Sequence, residues 1–311
     1  MKGVMSLPVC IMMLLCAVPL TQGIQSHPVQ AARMVWYVDD GNTGPYDGSQ
    51  EFPFPTIQEA LLYAQDSDTV YVYAGTYYSS GGSSWPIQIK HAIMLQGEDP
   101  ARTEIVGGGT GSSMYVVSFY DTTGPAEIRG FTIRKSGTDI DDGGILVNAD
   151  DVSIINNTLT ENQLGIYIIS RHTNCRIEQN LITQNKDGVF GTIDKSEVAY
   201  NEVVNNSFNG ITLFGTNNTI HNNLISGHSM DGIEIKGSKD CKVTRNNFYG
   251  NHKDAYFSNA FDTKWRFNYW GQARMLPKVI IGDYRIDGYH MRNVIRFDWF
   301  PALKPNRISP I

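Results

Sequence analysis

The sequence predicts an all-β solenoid: a single-stranded right-handed parallel β-helix with an N-terminal capping helix and a C-terminal cap. Three observations carry the prediction. Over residues 144–270 one short pattern is written six times, opening at Gly144, Gly165, Gly188, Gly210, Gly232 and Ala255, with spacings of 21, 23, 22, 22 and 23 residues. A period near 22 with apolar alternation is the mark of stacked repeats. Segments such as Gly-Ile-Tyr-Ile-Ile alternate with period two, and no copy carries a helical stripe. Finally, an apolar anchor in each copy (Ile154, Ile177, Val198, Ile220, Val243, Trp265) is followed three residues later by Asn157, Asn180, Asn201, Asn223, Asn246 and Asn268. A second column, Asn162, Asn185, Asn206, His228 and Asn251, lapses only in the last copy. Leucine-rich repeats have a similar length but need a dense leucine pattern that is absent. About 22 residues suit one triangular coil, and coils stacked roughly 4.8 Å apart let identical Asn side chains bond as ladders.

Before the regular coils, residues 1–23 read as a secretory signal: Lys2, an apolar run from Val9 to Leu20, then Thr21-Gln22-Gly23. Residues 24–34 read as a linker, and Val35-Trp36-Tyr37-Val38 as the first strand. The oxygen-rich loop Asp39 to Gly48 has Ca²⁺-compatible residues but lacks the spacing of an EF-hand, so it reads as a turn-rich entry. Thr56 caps the one clear helix, Glu59 completes a capping box, and Ile57, Ala60, Leu61 and Ala64 form its apolar stripe. Such a helix closes the open hydrophobic end of a β-helix. Asp68 to Tyr77 begins the first coil, and residues 35–270 form the solenoid. Residues 271–311, with strand-like Lys278–Ile281 and Val294–Trp299, are expected to fold over the last coil as a cap.

Composition narrows the partners. The 311-residue chain has a formal net charge of −6, a balance that disfavours nucleic acid or an anionic membrane. No segment after the leader is long and apolar enough to span a bilayer, so an exported monomer is expected. Of four cysteines, Cys10 and Cys16 fall in the leader. Cys175 and Cys241 share one inward column three coils apart, about 14 Å by stacking, which is beyond disulfide reach. Two free buried thiols follow.

Phe54-Pro55-Thr56-Ile57-Gln58-Glu59-Ala60, Asp68 to Tyr77, the Asn-rich coils and Asn268-Tyr269-Trp270-Gly271 together resemble secreted pectate-lyase-like β-helix proteins, most nearly the NosD-like group. The wider superfamily implies carbohydrate binding, lyases, hydrolases and epimerases. The NosD resemblance implies a periplasmic role in copper-site maturation.

Candidate chemistry falls on the strand that opens each coil. Alternation sends Ile145, Ile166, Val189, Ile211 and Ile233 inward. It leaves Leu146, Tyr167, Phe190, Thr212, Glu234 and Phe257 in one outward column, and Asn148, Ile169, Thr192, Phe214, Lys236 and Asn259 in the next. Tyr167, Phe190, Phe214 and Phe257 thus form an aromatic stripe around Glu234 and Lys236, suited to stacking sugar rings and to marking an interaction surface. On the adjoining turns, Arg171, Asp194 and Lys195 have the residue types of a polysaccharide lyase, which also commonly uses Ca²⁺. Asp150 with Asp194 offers the looser alternative of a glycosidase carboxylate pair. Asp187, Asn209, Asp231 and Asp254 read as turn formers. His172, His221, His228 and His252 lie in different columns without ligand spacing, and His228 reads as a ladder variant. The expectation is an exported protein that binds, and in one version processes, extracellular or cell-surface polysaccharide. A structural or adhesive surface module and a copper-maturation accessory are the alternatives.

Overall fold

The computed structural model describes residues 33–79, 86–108, 115–286 and 290–308; the leader and nearly all of the linker expected from the sequence lie outside the described residues. From Arg33 onward the chain is a parallel β solenoid, as the period predicts. In the regular region each coil contributes three strands. The first run is Gly143–Asn148, Leu164–Thr173, Asp187–Asp194, Ile211–Thr216, Asp231–Lys239 and Lys253–Ser258; the second runs from Val152–Ile155 to Lys264–Arg266; the third from Thr158–Thr160 to Tyr269–Trp270. Each strand pairs in parallel with its counterpart one coil away, as in Ile145↔Ile166, Ile154↔Ile177 and Leu159↔Ile182. The inward positions make one continuous apolar core from Val38 to Ile280.

Corners dictate the rest. Near each end of the second strand, and after the third, the chain turns through a residue with positive φ. In one coil these are Lys195, Tyr200 and Asn205 (φ 50, 57 and 54°), and in the coil before it Asn174, Gln179 and Gln184 (φ 58, 58 and 57°). Outside glycine this conformation costs on the order of 1 kcal/mol per residue. A corner also turns backbone N–H and C=O groups out of the sheet ladder, where burial makes them costly to leave unpaired. The Asn columns satisfy them. Asn201 Nδ2 donates to the Ile177 carbonyl at 2.7 Å and to Asn223 Oδ1 at 2.9 Å, while its Oδ1 accepts from Asn180 N and Nδ2, both at 3.0 Å. The same geometry runs from Phe131 N, which donates to Asn157 Oδ1, up to Asn268. The second column repeats it from Ser136 through Asn162, Asn185 and Asn206. His228 takes an Asn place there, with Nε2 3.0 Å from the Val203 carbonyl. A third, mixed column was not anticipated: Cys175 N donates to Ser196 Oγ, and Ser196 N to Asn218 Oδ1. Both cysteines are free and buried, as the column arithmetic requires, and burial pushes the Cys175 thiol up to about 11.

The helix Ile57–Tyr63 starts where expected, with Thr56 Oγ1 accepting from Glu59 N and with Ile57 and Ala60 buried. At the other end Lys278–Ile286 and His290–Asp298 form an antiparallel hairpin. It joins the stack at Phe257↔Gly282, Ser258↔Asp283 and Trp265↔Asp298. Fully buried Asp298 accepts from Asn268 N, Asn268 Nδ2 and Trp270 Nε1 at 3.0, 3.1 and 3.2 Å, so an acceptor-only side chain ends the ladder. Residues beyond the hairpin run back along the corner between second and third strands, where Asn306 N donates to Asn247 Oδ1 and Asn222 Nδ2 to the Arg307 carbonyl.

The ladder yields a direct prediction. Asn201→Ala strands buried partners on two neighbouring coils and is expected to cost about 3 kcal/mol in urea unfolding. Asn205→Ala, at an exposed corner, is expected to cost about 1 kcal/mol. Equal losses would remove the ladder's claim to hold the coils together.

Candidate functional site

The outer face of the first strands carries the aromatic stripe, in a form partly different from the expected one. The register places Tyr167 beside Phe190, Phe190 beside Thr212, Thr212 beside Glu234 and Glu234 beside Tyr256. Rings touch in sequence: Tyr115–Tyr167 at 6.4 Å between centroids, Tyr167–Phe190 at 6.1 Å and Phe190–Phe214 at 5.9 Å. All four are half-buried, each shielding the next. Tyr115 belongs to an irregular early coil and was invisible to a pattern built on the regular ones.

Phe257 does not belong to this face. It lies opposite Ile235 and is 1% exposed, so its ring fills the core and Tyr256 takes the outward place. The reason lies in the glycines. A Cβ on Gly188 would stand 2.4 Å from the Gly210 carbonyl oxygen, and one on Gly210 2.4 Å from that of Gly232. Coils approach too closely there for any side chain. In the last copy Asp254 occupies this position, because the next strand joins the stack only from Phe257 onward. With no backbone stacked above it the glycine is dispensable, and the copy begins one residue earlier than Ala255.

A second shift comes from a bulge between Ile168 and Arg171, which brings Arg171 rather than Ile169 beside Thr192 in the adjacent outward column. Phe214, Lys236 and Ser258 follow, so Asn259 is displaced from the column too. Arg171 and Asp194 are brought together: Nη1 lies 3.0 Å from Oδ2, with the arginine side chain 59% exposed and the carboxylate 14%. Asp194 Oδ1 also accepts from Thr216 N and Oγ1 at 2.6 and 3.1 Å, so both its oxygens are engaged. Lys195 occupies a left-handed corner with its side chain exposed, and its backbone N–H donates to the Thr216 carbonyl. Asp150 accepts from Thr173 N and meets His172 Nδ1 at 3.3 Å. Those contacts, the backbone donor foremost, hold its carboxyl below the ordinary range, which suits a permanent anion and not a general acid.

Farther along, Glu234 is buried and pairs with the half-exposed Lys236 at 2.9 Å. Thr212, fully buried between Phe190 and Glu234 in the column, leaves its Oγ1 without a partner. Lys253 Nζ lies 4.2 Å from the Tyr256 ring centroid and 3.6 Å from Asp231. The Tyr256 hydroxyl bonds to Asp283 of the terminal hairpin. Asp187 and Asp231 prove to be a further coil-to-coil column through Asn209: Asn209 N donates to Asp187 Oδ1 and Asp231 N to Asn209 Oδ1. Burial pushes both carboxyls up. The entry loop's carboxylates are engaged by backbone donors, Asp39 by Gly41 N within the loop and Asp40 by Thr76 N on the strand Gly75–Tyr78.

A model of the family described as periplasmic copper-binding protein (NosD) matches residues 64–284. The chain belongs to the NosD family. No curated protein matches it. Among solved structures it is similar to pectate lyase Pel9A, at 13% identity and TM-score 0.54 over 76% of this chain and 77% of that one. It is similar also to XylC in its complex with xylose, at 12% identity and TM-score 0.56 over 76% and 65%. The GH136 lacto-N-biosidase from Eubacterium ramulus matches at 13% identity and TM-score 0.53 over 76% of this chain and 56% of that one. At such identities the likeness is one of fold.

The NosD description implies copper, and the described residues do not fit a copper centre. His172 has its ring nitrogens on Asp150 and Asn148, His221 on Glu197 and Asn222. His228 is sealed in its column, and burial lowers its pKa. Among the described residues no three His, Cys, Asp or Glu side chains converge.

The buried column makes a pH-dependent prediction. Because the Asp187 carboxyl is raised, its contribution to stability is complete below the ordinary aspartate value of about 3.9 and is lost as pH rises through the raised value. Asp187→Asn keeps an oxygen for Asn209 N and has no charge to bury. It should melt higher than the parent at pH 7 and show no advantage below about pH 3.9. A parent more stable than the variant at pH 7 would mean that the charge itself is used.

Proposed function

We propose that this NosD-family chain works outside the cytoplasm and binds a polysaccharide along the outer face of its first strands. The observation that carries the reading is the continuous ladder Tyr115–Tyr167–Phe190–Phe214, with ring centroids 5.9–6.4 Å apart. Half-exposed rings repeated along the stacking axis suit an extended sugar chain crossing successive coils, each ring taking the apolar face of a sugar. Arg171 is the exposed cation beside the ladder, placed to meet a carboxylate or a hydroxyl, and Lys236 is the second. Ca²⁺ would serve as a bridge to an anionic glycan rather than as a resident ion. The tail supports the reading by its path, since its hydrogen bonds among the described residues include those to Asn222, Asn246, Asn247, Phe267 and Asn268, on another corner. The solved structures that share the fold include a pectate lyase and a lacto-N-biosidase, in keeping with a scaffold that suits sugar chains. Arg171, Asp194 and Lys195 are proposed as contacts for the glycan, and a cleavage step at the Arg171–Asp194 pair remains the finer version of the same reading.

A glycan array with and without Ca²⁺ tests this. Tyr167→Ala/Phe190→Ala should lose roughly ten- to a hundredfold in affinity for whichever class the parent binds. A folded parent that binds no glycan leaves the structural or adhesive module as the better reading. The family match favours a second reading, a copper-maturation accessory, and a copper titration separates the two. Copper taken up by the described histidines should be stripped by a weak chelator. One equivalent that survives the chelator would favour the accessory role.

A further inference from the structure

The charge of this chain is not spread evenly. Residues 264–311 hold nine lysines and arginines against three aspartates, a surplus of six cations in a chain whose net charge is −6, so the first 263 residues carry a deficit of twelve. Of the three aspartates, Asp283 and Asp298 are buried. The outward columns of the second strands show how the reversal is built. In the middle coils the basic side chains have carboxylate partners: Arg176 Nη2 meets Glu178 at 2.7 Å, and the His221 ring Nε2 lies 2.5 Å from Glu197. One and two coils on, the same columns hold Lys242 and Lys264, and Thr244 and Arg266. Among the described residues no carboxylate lies within 4.0 Å of Lys242, Lys264, Arg266 or the neighbouring Arg245. The tail adds Lys304 and Arg307, which line an open pocket of about 540 Å³ with Arg245, Phe267 and Leu303.

The same end is apolar. On the hairpin Ile280 turns into the core, while Val279, Ile281, Ile295 and Phe297 turn away from it, paired across the strands as Val279↔Phe297 and Ile281↔Ile295. Trp299, 61% exposed, continues this face, and Arg285 and Arg292 flank it, exposed. Aliphatic and aromatic side chains beside Lys242, Lys264 and Arg266, which have no carboxylate within 4.0 Å among the described residues, are complementary to a surface that is both anionic and apolar. Branched aliphatic side chains give nothing to a sugar, and a second copy would bring arginine against arginine.

We propose that the C-terminal end of the solenoid docks on an anionic lipid surface, with Trp299 and the hairpin's outer face entering the headgroup layer and Lys242, Lys264, Arg266, Lys304 and Arg307 meeting lipid phosphates. The negative net charge does not oppose this. The lipid field decays over about 8 Å at physiological salt, whereas the acidic coils are stacked away from this end at roughly 4.8 Å each. The inference is independent of the glycan reading and places the first-strand face on a rod held by its end.

Co-sedimentation of the full chain with vesicles tests it, comparing phosphatidylcholine alone with phosphatidylcholine and phosphatidylglycerol in about equal parts. The chain should pellet with the anionic vesicles only and be released by salt. Lys242→Gln/Lys264→Gln/Arg266→Gln should weaken partitioning about five-fold for each cation removed. Ile281→Thr/Trp299→Ala, checked for fold by circular dichroism, should weaken it while leaving the salt response in place. Three results would overturn the proposal. One is no binding to anionic vesicles at low salt by a folded chain; another is binding indifferent to both variants. The third is a concentration-dependent dimer, lost in Ile281→Thr/Trp299→Ala, from a chain that ignores vesicles; that would give the face to a second copy.

Discussion

Each coil must turn three corners, and at each corner a buried backbone leaves the sheet pairing and still needs partners. The Asn columns answer that need. One side-chain amide accepts from the coil before and donates to that coil's carbonyl and to the Asn of the coil after it, so a single residue type satisfies the backbone and sets the register. Parallel pairing, the axial core and the alignment of the outer faces all follow from that register. So does the choice of corner residues. Tyr200, Gln179, Arg245 and Phe267 adopt positive φ (57, 58, 57 and 59°) beside ladder residues, a conformation none of them favours. The ladder bonds offset the strain, which frees the corners to vary in chemistry.

The same logic shapes the first-strand face. Its residues are aligned by the ladder and not by their own interactions, so ring stands next to ring at coil spacing without any local sequence demanding it. The alignment also forces polar groups into poor company. Thr212 is buried between Phe190 and Glu234 with an unpartnered hydroxyl, and the Glu234 carboxylate is covered and held by Lys236. Arg171 escapes that crowding because a bulge pushes it outward next to Asp194. A surface so built has half-exposed rings in its middle and charge at its margins.

Most of this architecture was legible in the sequence because its causes repeat. Ladder residues, anchors and opening glycines recur at fixed spacing, and the capping helix announces itself through Thr56 and Glu59. What escaped was whatever interrupts the repeat. The Ile168–Arg171 bulge inserts residues without a turn signal and moved Arg171 into a column assigned to Ile169. The last coil lacks the close backbone approach that compels glycine elsewhere, so its start was misplaced by one residue, and Phe257 was set outside when its ring belongs in the core. Tyr115 and Asp298 lie beyond the regular repeats, and their partners are found only in space. The net charge of the whole chain hid the reversal at residue 264 for a similar reason: an average has no position.

The ladder has a direction, and Asp298 is where it stops. In this column every Asn from Asn180 to Asn246 meets an Asn on each side, whereas Phe131 N–H at one end and the Asp298 carboxylate at the other each meet the ladder once. Length and termini are therefore written in separate parts of the chain. A duplication of one whole coil anywhere between those Asn residues would find its partners already in place and leave both ends untouched, whereas a coil added after Asn268 would have to displace Asp298. Descendants of such a chain can lengthen or shorten by unequal exchange within the middle, and the number of rings presented on the first-strand face would change with them while the two ends are inherited intact.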